Sequence, residues 1–268
     1  MITDEEFTRI VRYLKPRYGL DLGQKKVIVN GRLENYLKTG GWADFNAYMD
    51  AVERDRSGNL EKALVNMLTT NHTYFMREFN HFDYFRKVVL PWIKEKEKSK
   101  KDLRVWCGAA STGEEPYMIA MVIKEFFGME HGQWDTKLLA TDVSTRVLQQ
   151  AMRGVYNADQ LKEVPENWKR NFFSQDKLSG KYAVKEELKQ EILFRQFNLM
   201  EPFPFKKKMH TIFLRNVMIY FDEKTKAELL RKVYDTLEPG GYLFIGMTET
   251  LDRNTVPFQI IQPSIFRK

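Results

Sequence analysis

Little in this chain of 268 residues can carry redox or metal chemistry. It has a single cysteine, Cys107, so no disulfide can form within it. A reducing, cytoplasmic setting fits that composition. It has four histidines, and neither they nor the cysteine cluster at zinc-ligand spacing, so no metal is expected. No apolar run approaches the roughly 18 residues of a membrane span. The first residues, Met-Ile-Thr-Asp-Glu-Glu-Phe, are acidic, so neither a signal peptide nor membrane insertion is expected. The phosphate loop Gly-x-x-x-x-Gly-Lys-Ser/Thr is missing. A strict Gly-x-Gly-x-x-Gly is missing too, which argues against NAD. There is no internal repeat, and no biased tract beyond one lysine-rich run.

What is present is ordinary for a folded protein: 43% hydrophobic, 29% charged, with 19 Phe, 12 Tyr and 5 Trp to furnish a core. The net charge of +7 is unevenly placed. Residues 79–101 carry 7 basic and 3 acidic side chains, so more than half the excess surrounds Lys94-Glu-Lys-Glu-Lys-Ser-Lys-Lys101. That run reads as a solvated helix end or connector, not a nucleic-acid groove, and no nucleic-acid partner is expected.

The first 70 residues read as helices. Phe7, Ile10, Val11 and Leu14 recur at helical spacing, Thr3 and Glu6 suit a capping box, and Gly19 ends the helix. Further helices are expected over 24–38, from Trp42 through Val52, and over 59–68. Phe79 to Lys98 reads as one or two helices broken near Pro91. Strand candidates then follow at 103–107, 137–141, 192–197, 210–214 and 242–246, with helices near 115–127, 144–152 and 223–237. Phe258 to Arg267 reads as a last strand. Such alternation predicts an α/β fold with a mostly parallel, Rossmann-like sheet. Phe172-Phe173 and Tyr182–Val184, around Ser179-Gly180, suggest a small inserted β-hairpin. The expected division is an α-helical domain over 1–75 and a sheet domain over 76–268, with the insert at about 170–192.

The segment with the most chemical content is Leu103-Arg-Val-Trp-Cys-Gly-Ala-Ala-Ser-Thr-Gly-Glu-Glu-Pro116. It predicts a strand, a turn of small residues that lets a ligand approach the backbone, and a helix start that tolerates Pro116. A pyrophosphate favours bare N–H groups at such a helix start, and Glu114 and Glu115 would repel it. They suit a ligand with a cationic end, such as the amino group and sulfonium of S-adenosylmethionine. Small strand–helix turns also occur with no ligand. Asp142 ends the next strand, where a carboxylate accepts from ribose hydroxyls; alternatively it caps the following helix, unless Ser144 does. Arg215 and Asn216 end another strand candidate, at the ligand-binding edge. Tyr220 taken alone reads as core, and Asp222 as a helix cap. Thr69-Thr-Asn-His-Thr-Tyr-Phe-Met-Arg-Glu78, between the two domains, reads either as a segment closing over a cleft or as a capped helix start anchored by Phe75.

Taken together and in this order, Thr70-Asn-His-Thr-Tyr-Phe-Met-Arg-Glu78, Ala110-Ser-Thr-Gly-Glu-Glu-Pro-Tyr117, Ala140-Thr-Asp142 and Arg215-Asn-Val-Met-Ile-Tyr-Phe-Asp222 resemble the chemotaxis receptor methyltransferases of the CheR type. The resemblance covers essentially the whole chain. His72 and Met76 depart from the apolar and aromatic residues usual there, and Gly246-Met-Thr-Glu249 departs from Gly-His-Ser-Glu. The resemblance implies methyl transfer from S-adenosylmethionine, leaving S-adenosylhomocysteine, to glutamates of the cytoplasmic helical bundle of bacterial chemoreceptors. It implies cofactor contacts from Asn71, Thr73, Arg77, Glu115, Asp142, Asn198, Leu199, Arg215 and Asn216, with Arg77 and Tyr220 near the transferred methyl. The protein implied is a cytoplasmic monomer recruited to membrane-bound receptor arrays. Lys25 and Arg32, seven apart and so on one helix face, with Lys26 adjacent, are the candidate receptor contacts. The short hairpin suggests action without a receptor-tail tether. A binding regulator, or a methyltransferase acting on another protein, RNA or a small molecule, is the alternative.

Overall fold

Four helices open the chain in the computed structural model, which describes residues 1–23, 25–252 and 255–268. The first, α1, spans Asp4–Tyr18. Thr3 accepts from the Glu6 N–H while the Glu6 carboxylate accepts from the Thr3 N–H. This capping box satisfies two donors that a helix start leaves bare. Helices α2 (Lys26–Thr39), α3 (Phe45–Arg54) and α4 (Asn59–Leu68) follow. Gln24, expected to open α2, lies outside the described residues. The third helix starts at Phe45, not Trp42, because Asp44 caps it by accepting from the Ala47 N–H. Trp42 instead lays its ring against Tyr48, centroids 5.4 Å apart. Ile10, Leu14, Leu33, Tyr48 and Leu64 form the centre of this unit's core.

The break expected near Pro91 does not occur. Helix α5 (Asn80–Tyr84), a π turn over Phe85–Val89 and α6 (Leu90–Lys96) run on as one path. The Leu90 N–H bonds to the Phe85 carbonyl five residues back. A widened turn of this kind absorbs a proline, which has no N–H to give.

Strands and helices then alternate: β1 (Val105–Cys107), α7 (Glu114–Phe127), β2 (Leu138–Asp142), α8 (Thr145–Arg153), β3 (Val155–Tyr156), α9 (Glu166–Phe172), β4 (Phe173–Gln175), β5 (Tyr182–Val184), α10 (Glu186–Lys189), β6 (Ile192–Gln196), β7 (Met209–Leu214), α11 (Glu223–Thr236), β8 (Leu237–Ile245), β9 (Gln259–Gln262) and β10 (Ile265–Arg267). The main sheet has the order β6-β2-β1-β7-β8-β10-β9. Its first five strands are parallel, and β10 is antiparallel to both of its neighbours. The final segment, expected as one strand, is therefore a hairpin. Pro263 cannot donate to a ladder, and Ser264 takes φ +66°, so the chain reverses there. The small hairpin is part of a three-stranded sheet, β3-β5-β4, whose first strand comes from Val155.

Successive residues of a strand face opposite sides of a sheet. Phe213 and Phe244 accordingly join one core with Phe82 and Phe85, while Ile212, Leu214, Leu243 and Ile245 join the other with Trp106. Cys107 pairs in register with Ala140 on one side and Phe213 on the other. The ends of β1, β2 and β7 are thus level, at the point where strand order departs in both directions from β1. Open α/β sheets bind ligands outside such a point. Among the described residues no helix is long and apolar enough to cross a membrane.

Candidate active site

The turn after β1 is spliced between two strands. The Gly108 N–H donates to the Phe213 carbonyl (2.8 Å) and the Ala110 N–H to that of Thr141 (2.8 Å). Gly113 ends the turn at φ +101°, where a Cβ would lie 2.8 Å from the Tyr156 hydroxyl and 2.9 Å from the Ala151 Cβ. Only glycine fits that conformation and that gap. Glu114 is buried and accepts from the Thr112 hydroxyl (2.6 Å); burial pushes its carboxyl pKa up. Its neighbour Glu115 lines a pocket over the strand ends. It accepts from the Cys107 thiol (3.3 Å) and from Arg215 Nη1.

Asp142 does not cap α8. Ser144 does, accepting from the Val147 N–H. Asp142 instead accepts from the Ser144 N–H at Oδ1 and the Ser111 N–H at Oδ2, both at 2.9 Å. Each oxygen keeps lone-pair capacity for a further donor. Burial raises its pKa, and the N–H bonds oppose the rise.

Arg215 is the hub of the opposite wall. Its side chain is almost fully buried. Nη1 meets Glu115, and Nη2 donates to the Arg77 carbonyl (2.6 Å) and to Glu78 Oε2 (3.2 Å). Its Nε is buried with no partner. Glu78 also accepts from Asn216 Nδ2 (3.3 Å) and the Met247 N–H (3.3 Å). Burial would raise the Glu78 pKa, but Arg215 and these bonds hold it below the usual range. The strap over 70–78 is fastened at several points. Arg77 Nη1 donates to the His72 carbonyl (3.0 Å) while its guanidinium stands 5.7 Å from the Tyr74 ring centroid. The Ser111 hydroxyl donates to the Asn71 carbonyl (2.8 Å). Among the described residues, six non-glycines have positive φ, and Met76, Glu78, Ser111 and Asn216 are four of them. Backbone strain thus concentrates around this pocket, a pattern typical of functional sites.

The pocket has a volume of about 260 Å³ and is lined by every residue named in advance for the cofactor, and by Tyr220. Asn71, Thr73 and Arg77 come from the strap. Glu115 comes from the first turn of α7 and Asp142 from the end of β2, Arg215 and Asn216 from that of β7, and Asn198 and Leu199 from beyond β6. The Asn198 amide is already engaged, donating to the Arg17 carbonyl (2.7 Å) and accepting from the Met200 N–H (3.0 Å). Sequence reading missed Ser111, Tyr18 and Leu20 on the lining, and Glu78 behind it. Ser111 sat inside the small-residue turn and was open to notice. Tyr18 and Leu20 reach the site only through packing between units, which leaves no local signal.

The basic residues named for a partner separate. α2 begins at Lys26, so Lys25 stands ahead of it, with its ammonium 5.3 Å from the Tyr220 ring centroid. Lys26 pairs with Asp4 (2.6 Å). Arg32 turns inward, donating to the carbonyls of Leu68 (2.9 Å) and Thr69 (3.3 Å) and to Thr70 Oγ1 (3.0 Å). Far from the pocket, Glu97, His210 and Glu238 converge within 4.8 Å. The Arg104 N–H donates to His210 Nδ1 (3.0 Å), and His210 Nε2 lies between Arg104 Nη2 (2.9 Å) and Glu97 Oε1 (3.3 Å). Glu238 pairs with Arg104 and Lys96. These contacts join α6, β7 and β8.

Two family models match the chain in tandem. Residues 5–69 match the CheR methyltransferase all-alpha domain, and residues 71–266 match the CheR methyltransferase SAM-binding domain. A chemotaxis protein methyltransferase of Borreliella burgdorferi is 39% identical over 274 residues, covering 100% of this chain and 95% of that protein. The chemotaxis protein methyltransferase of Escherichia coli is 36% identical, covering 92% of this chain and 85% of its own. That of Salmonella typhimurium is 35% identical, covering 99% and 90%. A pocket at the strand switch point, with two carboxylates and a buried arginine from the family's motifs, completes the match: the chain belongs to the CheR methyltransferase family and is an S-adenosylmethionine-dependent methyltransferase.

Proposed function

We propose that this protein methylates glutamate side chains on the cytoplasmic helices of bacterial chemoreceptors, giving methyl esters that serve sensory adaptation. The observation that carries the reading is the convergence of Arg77, Glu115, Asp142, Arg215, Asn216 and Tyr220, from four separate segments, on one pocket. It works in the cytoplasm as a monomer, recruited to receptor arrays, and uses no metal.

The lining suits S-adenosylmethionine. Glu115 and Asp142 offer acceptors to an amino group and to ribose hydroxyls. Arg215 on the same lining supplies a positive charge for the carboxylate. Leu199, with Asn198 beside it, walls the adenine. When bound, the cofactor supplies a methyl made electrophilic by its sulfonium. The chain's own residues have less to do. A glutamate with pKa about 4.3 is already an anionic nucleophile at neutral pH, so no general base is needed. Positioning alone is worth on the order of 7–11 kcal/mol of barrier. Arg77, carried on the strap, orients the incoming carboxylate by a charge-assisted hydrogen bond and closes the site. Tyr220 walls or hydrogen-bonds the methyl site. Lys25, beside Tyr220, meets the acidic flank of the receptor helix.

The test is methyl transfer to chemoreceptor cytoplasmic fragments, with mass spectrometry of the modified glutamates. Ester formation on glutamate is expected. Cofactor binding without S-adenosylhomocysteine production on any receptor would point to a binding regulator, and transfer to RNA would point to another substrate. Arg77→Ala and Tyr220→Phe are each expected to lower the rate by about tenfold or more. Wild-type rates in both would remove them from the chemistry.

A further inference from the structure

Glu249 lies in the turn after β8 and is buried. Its carboxylate collects four backbone N–H groups from two loops. Oε1 accepts from Met218 (2.7 Å) and Ile219 (3.2 Å), and Oε2 accepts from Gly246 (2.6 Å) and Asn216 (2.9 Å). The chain over 216–219 leaves the end of β7 and enters the short 3-10 turn Met218–Tyr220. It lies outside the sheet ladder and the α-helices, so Glu249 takes donors that no regular element would satisfy. Asn216 itself is held at φ +56°, a conformation that persists only when surroundings over-determine it. Gly246 completes the seat, since a Cβ there would come within 2.2 Å of Asn216 Nδ2.

We propose that Glu249 is a positioning residue for methyl transfer, its carboxylate fixing the backbone of 216–219 and with it the placement of Asn216 and Tyr220. The inference rests on the reading that those two residues border the cofactor and its methyl. Glu249 does not line the pocket. It acts through the segment it holds. A protonated carboxyl, or an amide, would set a donor against one of the N–H pairs. Glu249→Gln keeps the shape and one oxygen but opposes either the Met218–Ile219 pair or the Gly246–Asn216 pair.

The experiment is a double-mutant cycle on the full chain, with receptor fragments and S-adenosylmethionine both saturating. Glu249→Gln is expected to lower kcat by about tenfold or more, the cost of leaving buried donors unsatisfied at a placed catalytic group. In a Tyr220→Phe background the same change should cost less than about threefold, because misplacing a side chain already stripped of its hydroxyl loses little. Equal losses in the two backgrounds, or no loss in either, would overturn the proposal. Tyr220→Phe at the wild-type rate would instead overturn the reading of Tyr220, independently of Glu249. Should Glu249→Gln fail to fold, amide exchange in the native protein decides. The N–H groups of Asn216, Met218 and Ile219 should be protected together, and rapid exchange of all three would mean that Glu249 does not hold them.

Discussion

Arg215 shows how much of this site depends on single side chains. Its guanidinium lies between two partly buried carboxylates, Glu78 and Glu115, with side-chain exposures of 13% and 12% against its own 1%. Such a triad adds little net stability while intact, but removing one member leaves uncompensated charge behind. Arg215→Met, which keeps length and removes charge, should cost about 3–5 kcal/mol in urea denaturation. A loss indistinguishable from a surface substitution would mean that water reaches the acids. Asp142 makes a different demand. Its oxygens already accept from Ser111 and Ser144, and any ribose hydroxyl must share them. In Asp142→Asn one oxygen becomes an NH₂ facing one of those N–H groups. S-adenosylhomocysteine affinity by calorimetry should then fall about tenfold or more, and unchanged affinity would place the ribose elsewhere.

At the level of elements, α5 is tied to the closing hairpin through His81. Its Nε2 lies 2.7 Å from the Ser264 hydroxyl, in the turn that closes the hairpin. Nδ1 stands 3.5 Å from Glu78 Oε2 and is buried with no hydrogen-bond partner. Burial, with repulsion from Arg215, lowers the His81 pKa to about 4 despite Glu78. The unfolded chain, with a histidine pKa near 6.5, therefore binds more protons than the folded one between about pH 4 and 6.5. Stability falls as pH drops through that window, by about 2 kcal/mol at pH 5 from this group. His81→Gln should flatten the dependence in denaturation curves measured from pH 7 to 5, and an unchanged slope would assign the loss to other groups. Neither the His81–Ser264 contact nor the hairpin was legible in the sequence. Alternating apolar residues over Phe258–Arg267 look the same in one strand or two, and the reversal depends on the φ of Ser264. The helices and parallel strands were legible because periodicity and caps are local. Thr3 with Glu6, Ser144 and Asp222 each cap the helix they precede. The pocket lining was legible where motifs fall at strand ends, as with Asp142 and Arg215. The support behind the lining was not legible for Glu78 and Glu249, whose partners lie more than a hundred residues away or on another loop.

Across the whole molecule the N-terminal helices are part of the site rather than an appendage. Tyr18 and Leu20 line the pocket. The Asp21 N–H donates to the Tyr220 carbonyl (2.8 Å), Ser144 bonds to Asn66 (2.7 Å), and Lys15 pairs with the α11 cap Asp222 (2.8 Å). This arrangement assigns different duties to the two basic residues that the sequence placed together. Arg32 satisfies the last carbonyls of α4, where a cation is favoured, and holds Thr70 at the root of the strap. Lys25 stays at the mouth beside Tyr220. Arg32→Ala should therefore loosen the strap and raise the Kd for S-adenosylhomocysteine by about tenfold, the lower end of what one charged hydrogen bond contributes. Lys25→Glu should leave that Kd within about twofold and raise the KM for receptor fragments. The KM effect should shrink as salt screens the exposed charge. The opposite pattern, with Arg32→Ala changing only the receptor KM, would return Arg32 to the receptor face, because a guanidinium held by Leu68, Thr69 and Thr70 is not extended toward a partner.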